Sequence, residues 1–363
     1  MRMLAQRALL ACLSVVGGVC PCSAENAAAR TSRTLKAHFY PRSERLSRED
    51  RLAVIGDVQR TSFWGRLVLA ESNSAEQKWL VDDLAKQQFR GLVLLGDMVF
   101  SPGDDNWNYF DRLFAPLRQG PTGGAGDPPV SERETRYFFP VMGNHEYMGD
   151  REQAALQLSR RFDGLLEHTH YAFDWHHVRM IVLDGNRGRL CTSAASSSHD
   201  CESDWQAQLS WLRSELRRVD QAPAEEQRAA LLFVHQSPYT QSPWVAGDQA
   251  NAREFANVLF ESPRALGLIS AHAHGFERYT LPGEARAQPP KVFIVSAGGG
   301  GPRPHFRRPW AAPDSSKLPW PRPFNYLLLR QDLDGIQIEV RGLEKGKQVV
   351  TTLAEESVTL PFH

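Results

Sequence analysis

Several apolar segments of this chain end in side chains that are able to bind metal ions. In chain order these side chains are Asp57, Asp97, Asn144 with His145, His235, and the pair His272 and His274. Carboxylates, an amide and several imidazoles form a ligand set that suits two divalent metal ions about 3.5–4 Å apart. Random placement would not put such residues at five segment ends in succession. The pattern therefore predicts a two-metal site.

The apolar segments are typical of buried β-strands, and helical patterns lie between several of them. The strand-like segments are LAVIGDV, GLVLLGDMV, YFFPVMGN, VRMIVLDG, AALLFVHQ, LGLISAHAH and KVFIVSAGG. Ser74 and Gln77 have the spacing of a capping box at the start of one predicted helix. Strands that alternate with helices predict a layered α/β fold, in which ligand sites form beyond the carboxyl ends of the strands.

The ordered series GD, GD, GNHE, H and HxH resembles that of the calcineurin-like metallophosphoesterases. The segments HQSPY (235–239) and AHAHGFER (271–278), and the block that begins YAFDWHHVRMIVLDGN, are most similar to the purple-acid-phosphatase-like branch. The resemblance covers residues 52–300 of the chain. It implies a four-layer α/β/β/α sandwich with the metal site at the C-terminal ends of the strands.

The resemblance also implies a ligand set for two metal ions. Asp97 would bridge both ions. The ligands of the first ion would be Asp57 and His274, and those of the second would be Asn144, His235 and His272. The oxygen ligands suit Mn, Mg or Fe, and the imidazoles admit Zn or Fe. The implied reaction is hydrolysis of a phosphoester by a metal-activated water.

His145 has a separate implied role in catalysis, next to Asn144. It would either donate a proton to the leaving oxygen or stabilise the charge on the phosphoryl group. Some relatives orient this histidine with an aspartate at the position of Phe100. The Phe100 side chain cannot do this, so we expect His145 to use Glu146, a backbone carbonyl or no partner.

Gln59 departs from the family pattern. Many relatives have histidine there, and purple acid phosphatases use a tyrosine at the position of Phe100. A glutamine carbonyl oxygen is an ordinary ligand for a hard metal ion, so we predict that Gln59 completes the first site. In the alternative, Gln59 only hydrogen-bonds to nearby groups and water completes the site. Ala271 replaces the usual glycine before HxH, which is a small change if its φ is negative.

These features predict an acid-phosphatase-like enzyme that hydrolyses small phosphomonoesters. The alternatives are a nucleotide pyrophosphatase or phosphodiesterase, which the Asp-x-Gln motif makes reasonable, and a binding protein that has lost catalysis. Arg60, Arg278 and Arg303 are candidates for phosphate contacts, or are solvated or structural. The chain has 42 basic and 42 acidic residues among 363, which argues against a general affinity for nucleic acid. The oligomeric state stays open.

The start of the chain predicts export. Residues 1–24 have the basic start, apolar stretch and small-residue site of a signal peptide, which implies a periplasmic or extracellular protein. Lipoprotein anchoring at Cys12 is the less favoured alternative, and no other segment is expected to span a membrane. A polar arm follows at 25–50. Residues 51–363 are expected to form one domain that ends in a β-hairpin extension around an Asp-Gly turn.

The mature chain keeps two cysteines, Cys191 and Cys201, on either side of a Ser-rich loop. In an exported protein such a pair is a disulfide candidate. The alternative is two unpaired thiols. In either case these residues are expected to be structural.

Overall fold

The structure is a computed structural model, and it describes residues 45–61, 71–118, 136–149, 151–162, 165, 169–187, 198–243, 245, 249–283, 289–307 and 315–363. The strands are β1 (Arg45–Leu46), β2 (Arg51–Ile55), β3 (Gly91–Leu94), β4 (Tyr137–Pro140), β5 (Tyr171–Trp175), β6 (Val178–Val182), β7 (Ala229–Phe233), β8 (Ala265–Ser270), β9 (Phe276–Leu281), β10 (Lys291–Ser296), β11 (Phe324–Gln331), β12 (Gly335–Leu343), β13 (Thr351–Thr352) and β14 (Val358–Pro361). The α-helices are α1 (Ser74–Lys86), α2 (Asp104–Leu113), α3 (Ala115–Arg118), α4 (Arg151–Arg161), α5 (Ser198–Gln221) and α6 (Gln249–Phe260), and a 3₁₀ helix spans His145–Tyr147.

Within the described residues the strands form two sheets. The first sheet has the order β13-β12-β11-β2-β3-β4, and β14 pairs with β12. The second has the order β1-β5-β6-β7-β8-β10-β9. Strands β2, β3 and β4 are parallel in the first sheet, and β6, β7, β8 and β10 are parallel in the second. All seven strand-like segments of the sequence therefore form strands in these parallel cores.

The two sheets pack face to face and helices cover them. The rings of Phe139 on β4 and Phe173 on β5 stack across the sheets with centroids 3.8 Å apart. Helix α1 contacts β11 of the first sheet, and α5 and α6 contact β7 and β8 of the second. Parallel strands are apolar throughout because both faces of their sheet are covered. The arrangement confirms the predicted α/β/β/α sandwich.

The C-terminal hairpin is an integral part of the first sheet. Strands β11 and β12 pair antiparallel around Asp334 and Gly335. Strand β11 also pairs with β2, from Leu327 opposite Val54 to Arg330 opposite Arg51. The hairpin therefore supports the strand that carries the first motif.

The predicted capping box at the start of α1 is wrong. Asn73, not Ser74, is the residue that precedes the helix, and its side chain does not cap the helix. The side chain of Gln77 turns away from the helix start and donates hydrogen bonds to the backbone carbonyls of Val58 and Gln59. Gln77 therefore makes a tertiary contact with the loop after β2 and not the predicted local contact at the helix start.

Several predictions on processing fall outside the described residues. They are the signal peptide at 1–24, most of the polar arm, and the disulfide between Cys191 and Cys201. Cys191 lies outside the described residues, and no side chain is described for Cys201. Two residues of the arm, Arg45 and Leu46, form β1 and pair with β5. In the described part of the chain, no helix combines the length and the apolar character that crossing a membrane requires.

Candidate metal centre

The motif residues meet where the carboxyl ends of the two sheets come together. Leu95 directly follows β3 and its carbonyl oxygen lies 2.6 Å from Nδ1 of His235, which follows β7. Two groups of donor atoms form there, and within each group all atoms lie within 4.8 Å of one another. One group is Asp57, Asp97 and His274, and the other is Asp97, His235 and His272. Asp97 belongs to both groups.

The first half of the centre contains Asp57, Gln59 and His274. Nε2 of His274 lies 3.2 Å from Oδ1 of Asp57. The side-chain amide nitrogen of Gln59 lies 3.2 Å from the same Nε2 and 3.1 Å from Oδ2 of Asp97. Ligands in adjacent positions around an ion at 2.0–2.2 Å are about 3 Å apart, so these separations suit one shared ion.

The second half contains His235 and His272. Nε2 of His235 lies 3.2 Å from Oδ1 of Asp97 and 3.0 Å from Nδ1 of His272. Asn144 is half-buried and its side-chain oxygen is buried. Its backbone carbonyl accepts a hydrogen bond from the Tyr147 amide at 3.3 Å, which starts the 3₁₀ helix. The second half therefore has two imidazoles grouped with Asp97. Asn144, the other predicted ligand of this half, directly precedes His145 in the chain.

Four of the motif residues have an unusual backbone conformation. Asp57, Asp97, His272 and His274 have φ values of 55°, 52°, 67° and 53°. Non-glycine residues adopt this left-handed region at a cost, and such strain concentrates at functional sites. Ala271 is not among the described residues with positive φ, so its methyl group needs no strained backbone. That methyl group packs where a side chain at Gly56 would lie, 2.7 Å from a Cβ at that position.

The imidazoles are oriented by backbone carbonyls. Nδ1 of His235 lies 2.6 Å from the Leu95 carbonyl oxygen, and Nδ1 of His274 lies 2.6 Å from the Pro302 carbonyl oxygen. Each contact fixes a proton on Nδ1 and leaves Nε2 directed at the carboxylates. Such partners of histidine ligands fix the tautomer and ring orientation in metal sites.

Glu146 fixes the loops around Asp97 from behind. Its carboxylate is buried and accepts hydrogen bonds from the backbone amides of Asp97, Met98 and Gly143 at 2.7–2.9 Å, and from that of Val99 at 3.3 Å. Burial and the nearby charge of Asp97 raise the pKa of Glu146 to about 7, while the amide contacts oppose this shift. Gly143 has no room for a side chain, because a Cβ there would lie 2.4 Å from Asp97. Glu146 is thus fully engaged and does not orient His145.

Of the three expected arrangements, His145 uses the second, a backbone carbonyl. Its backbone amide donates to Oδ1 of Asp97 at 3.1 Å, and its Nδ1 lies 2.6 Å from the carbonyl oxygen of Phe100. Its Nε2 lies 3.7 Å from Oδ2 of Asp97. Phe100 therefore orients His145 through its backbone carbonyl, although its side chain cannot.

The electrostatics of the centre favour bound positive charge. Burial alone would raise the pKa of Asp97, but the imidazoles of His235 and His145 hold it well below its usual value. Burial alone would lower the pKa of His235, but Asp97 and Asp57 raise it to about 10. The pKa of His274 is raised against burial by Asp57. The buried carboxylates of Asp57 and Asp97 therefore favour positive charge beside them. Protonated imidazoles provide this charge in the metal-free chain, and divalent ions can provide it instead.

Gln59 gives an independent test of whether the residues fit metal ions. Its side chain is buried, and its Oε1 has no hydrogen-bond partner in the structure. An unsatisfied buried carbonyl oxygen is costly, and the two ends of a glutamine amide are interchangeable in shape. Rotation of the amide by half a turn would aim Oε1 at Asp97 and His274, where an ion would bind it. The residues present therefore fit a metal ion in the first half.

The sequence did not indicate what holds Gln59 in place. Nε2 of Gln77 donates to the Gln59 carbonyl oxygen at 2.8 Å and to that of Val58 at 3.3 Å. Tyr109 donates from its hydroxyl to Oε1 of Gln77, and the Arg60 guanidinium lies 5.0 Å from the Tyr109 ring. The glutamine at the fourth position of α1 is the residue that makes this support, but its spacing from Ser74 suits a capping box equally well.

A buried polar network supports the 3₁₀ helix that carries His145. The Tyr147 hydroxyl donates to Oδ2 of Asp184 at 2.5 Å. The other carboxylate oxygen of Asp184 accepts from the backbone and side-chain amides of Asn186 at 3.0 and 2.8 Å. The side chain of Asn186 also donates to the carbonyl of Met142 at 3.1 Å. Asp184 therefore braces a turn, and the braced turn contacts the GNHE loop.

Comparison with known proteins places this site in a family. Residues 50–276 match the sequence model of the calcineurin-like phosphoesterases. This match covers more than half of the chain, so the chain belongs to the calcineurin-like phosphoesterase family. The resemblance that the motifs indicated is thereby confirmed.

One curated relative supports the purple-acid-phosphatase-like branch. Purple acid phosphatase 22 of Arabidopsis thaliana is 23% identical over 255 residues, which are 69% of this chain and 50% of that protein. The chain thus spans about half the length of this curated relative.

Two solved structures share the fold. A dimetal phosphatase from Danio rerio has a TM-score of 0.55 and 16% identity, covering 86% of this chain and 99% of its own. The purple acid phosphatase PPD1 from yellow lupin (Lupinus luteus) has a TM-score of 0.50 and 14% identity, covering 87% and 54%. At these identities the likeness shows the fold alone, and it confirms the predicted sandwich.

Proposed function

We propose that this chain is an exported dimetal phosphoric-ester hydrolase that acts as a phosphomonoesterase. The observation that carries the proposal is the position of Asp97 in both groups of donor atoms. A carboxylate shared in this way is suited to bridge two ions, and paired ions stabilise the attacking and leaving oxygens of an in-line displacement. Membership of the calcineurin-like phosphoesterase family supports the same reaction class.

The residues of the two halves would hold the ions. Asp57, Gln59 and His274 would bind the first ion, Asn144, His235 and His272 the second, and Asp97 both. When bound, Mn, Fe, Zn or Mg ions would supply Lewis acidity and a water of lowered pKa that attacks phosphorus. The carbonyl partners of His235 and His274 would keep Nε2 of each imidazole deprotonated and directed at its ion.

His145 would act on the leaving group. The Phe100 carbonyl holds the proton of Nδ1, so Nε2 is the atom available to the substrate. A protonated Nε2 can transfer its proton to the leaving oxygen, and it can also stabilise charge on the phosphoryl group. Its backbone contact to Asp97 would keep this atom beside the reacting centre.

A metal and substrate panel tests the proposal. The purified full chain is reconstituted with Mn, Fe, Zn or Mg, its metal content is measured, and turnover of an aryl phosphomonoester, an aryl phosphodiester and a nucleotide sugar is compared. We expect two ions per chain and the highest kcat/KM for the monoester. A preference for the diester or nucleotide sugar would show that the chain is a phosphodiesterase or pyrophosphatase. Fewer than two ions with no ester hydrolysis would contradict the enzyme and favour a binding protein.

Export is a separate part of the proposal, and it is supported by the leader at 1–24. The full chain is expressed in a Gram-negative host, the cell is fractionated, and the N-terminus of the product is sequenced. We expect a periplasmic product that begins at Glu25. An uncleaved cytoplasmic product would contradict export without affecting the proposed chemistry.

A further inference from the structure

The first half of the centre depends on a short loop segment, Gly301–Arg303, that follows β10. The Gly301 amide donates to the Asp57 carbonyl oxygen at 2.9 Å. The Pro302 carbonyl oxygen lies 2.6 Å from Nδ1 of His274. Two consecutive residues of this segment therefore contact two of the residues proposed to bind the first ion.

The same segment is held on its other side by Glu71. The Arg303 guanidinium makes a two-point contact with the Glu71 carboxylate, from Nε to Oε2 and from Nη2 to Oε1, both at 3.0 Å. The third guanidinium nitrogen, Nη1, donates to the Arg322 carbonyl oxygen at 2.6 Å. The side chain of Asn73 donates to the Gly301 carbonyl oxygen at 3.1 Å.

Burial makes this ion pair a rigid tie. The Arg303 side chain is 4% exposed and that of Glu71 is 14% exposed. The Arg303 guanidinium also lies 4.1 Å from the ring of Phe324. Burial would raise the pKa of Glu71, but Arg303 holds it lowered, so the carboxylate keeps its charge. Two-point contacts between arginine and a carboxylate fix direction as well as distance.

We propose that Arg303 and Glu71 are positioning residues that hold the Pro302 carbonyl against His274 and thereby set the affinity of the first metal site. This assignment replaces the possibility that Arg303 contacts a substrate phosphate, because all of its guanidinium nitrogens already have partners within the protein. The inference rests on the proposed metal centre. It extends that centre to a pair that touches neither ion nor substrate.

A second buried ion pair provides a matched control. Arg161 contacts Asp111 at two points, at 3.1 and 2.6 Å, with side chains 3% and 8% exposed. This pair joins α4 to α2, and Arg161 also donates to the backbone and side-chain oxygens of Gln157. None of these four acceptor oxygens belongs to a proposed ligand. Loss of either pair should destabilise the fold, but only loss of the first should change a metal site.

The experiment compares Arg303→Gln and Glu71→Gln with Arg161→Gln and Asp111→Asn. Binding of Mn²⁺ to the metal-free full chain is followed by isothermal titration, and spin coupling between the two ions by electron paramagnetic resonance. We expect Arg303→Gln and Glu71→Gln to lower the affinity for one of the two Mn²⁺ ions about 10-fold to 100-fold. The spin-coupled signal should decrease as well. Arg303→Lys, which keeps the charge but not the two-point contact, should lie between wild type and Arg303→Gln. The control variants should bind both ions as wild type does.

Each outcome decides the inference. Wild-type binding of both ions by Arg303→Gln or, if that variant does not fold, by Glu71→Gln would overturn it and leave the proposed centre intact. Equal loss in the Arg161 and Asp111 variants would overturn it as well, because the effect would then be one of general stability. Fewer than two ions in the wild type would overturn the proposed centre itself, and with it the inference.

Discussion

The two halves of the candidate centre are held in place by different parts of the fold. In the second half, the carbonyl that orients His235 belongs to Leu95, whose own amide donates to the Ile55 carbonyl at 2.8 Å at the end of β2. In the first half, the carbonyl that orients His274 belongs to Pro302, in a loop held by the Arg303–Glu71 pair. A strand end is fixed by its sheet, whereas a loop is fixed by individual side chains. The first half should therefore be the more sensitive to substitutions outside its ligands.

The largest expected effect comes from the residue that the halves share. We expect Asp97→Asn to lose both ions and to lower kcat/KM at least about 10³-fold, because one bridging carboxylate charge is removed from both groups. Metal analysis and steady-state kinetics measure this. Asp111→Asn is the control, since Asp111 is also a buried aspartate but belongs to neither group. Retention of two tightly bound ions by Asp97→Asn would show that the halves are independent.

Loss of His145 should separate chemistry from metal binding. We expect His145→Ala to lower kcat about 10²-fold to 10⁴-fold, the usual range for a positioned acid, and to keep both ions. Turnover of an aryl monoester and metal content are measured on the same sample. If His145→Ala loses an ion, then His145 is a ligand and the assignment of roles is wrong.

A smaller effect should be confined to the first half. We expect Gln59→Ala to lower the affinity for the first ion about tenfold, because one ligand of several is lost. The second ion should bind as in wild type. Mn²⁺ titration measures both affinities. Gln208→Ala is the control, because Gln208 is also a buried glutamine and its amide contacts the backbone of Asp184. Unchanged metal content and activity in Gln59→Ala would favour the alternative in which Gln59 only hydrogen-bonds.

The smallest effect is expected at Phe100. We expect Phe100→Ala to lower kcat less than about tenfold, because the main-chain carbonyl that orients His145 remains and only the contact between the two rings, at 5.1 Å, is lost. Steady-state kinetics on the monoester measures this. A loss as large as that of His145→Ala would show that the Phe100 side chain, not its carbonyl, orients His145.

The proposed metal-binding side chains at the strand ends and the layered α/β class could be predicted from local patterns. The four-layer sandwich and the assignment of ligands to two ions were implied by the resemblance to the calcineurin-like metallophosphoesterases. Apolar segments that end in Asp or His mark strand ends, and the ends of parallel strands meet. The supports of the site could not be predicted in this way. A backbone carbonyl such as that of Phe100 or Pro302 has no residue-type signature. Glu71 and Arg303 are 232 positions apart, and nothing in either local sequence indicates the other.

Gln77 shows how a local pattern can mislead. Its spacing from Ser74 is that of a capping box, but its side chain supports the backbone of Gln59 instead. The buried carbonyls beyond β2 need a donor, and the side chain of Gln77 provides one where no strand does. Local propensity describes what a side chain can do near its own backbone, and tertiary contacts decide what it does.

The contact between His145 and Phe100 also affects how the protein tolerates mutation. The acceptor is a main-chain oxygen, so every amino acid at position 100 carries it. In the relatives for which the resemblance implies an aspartate here, one substitution would remove the acceptor, whereas a substitution of Phe100 leaves the main-chain carbonyl in the chain. Position 100 should therefore tolerate variation beside the proposed catalytic histidine, and we expect it to be a favourable site for directed evolution of substrate preference.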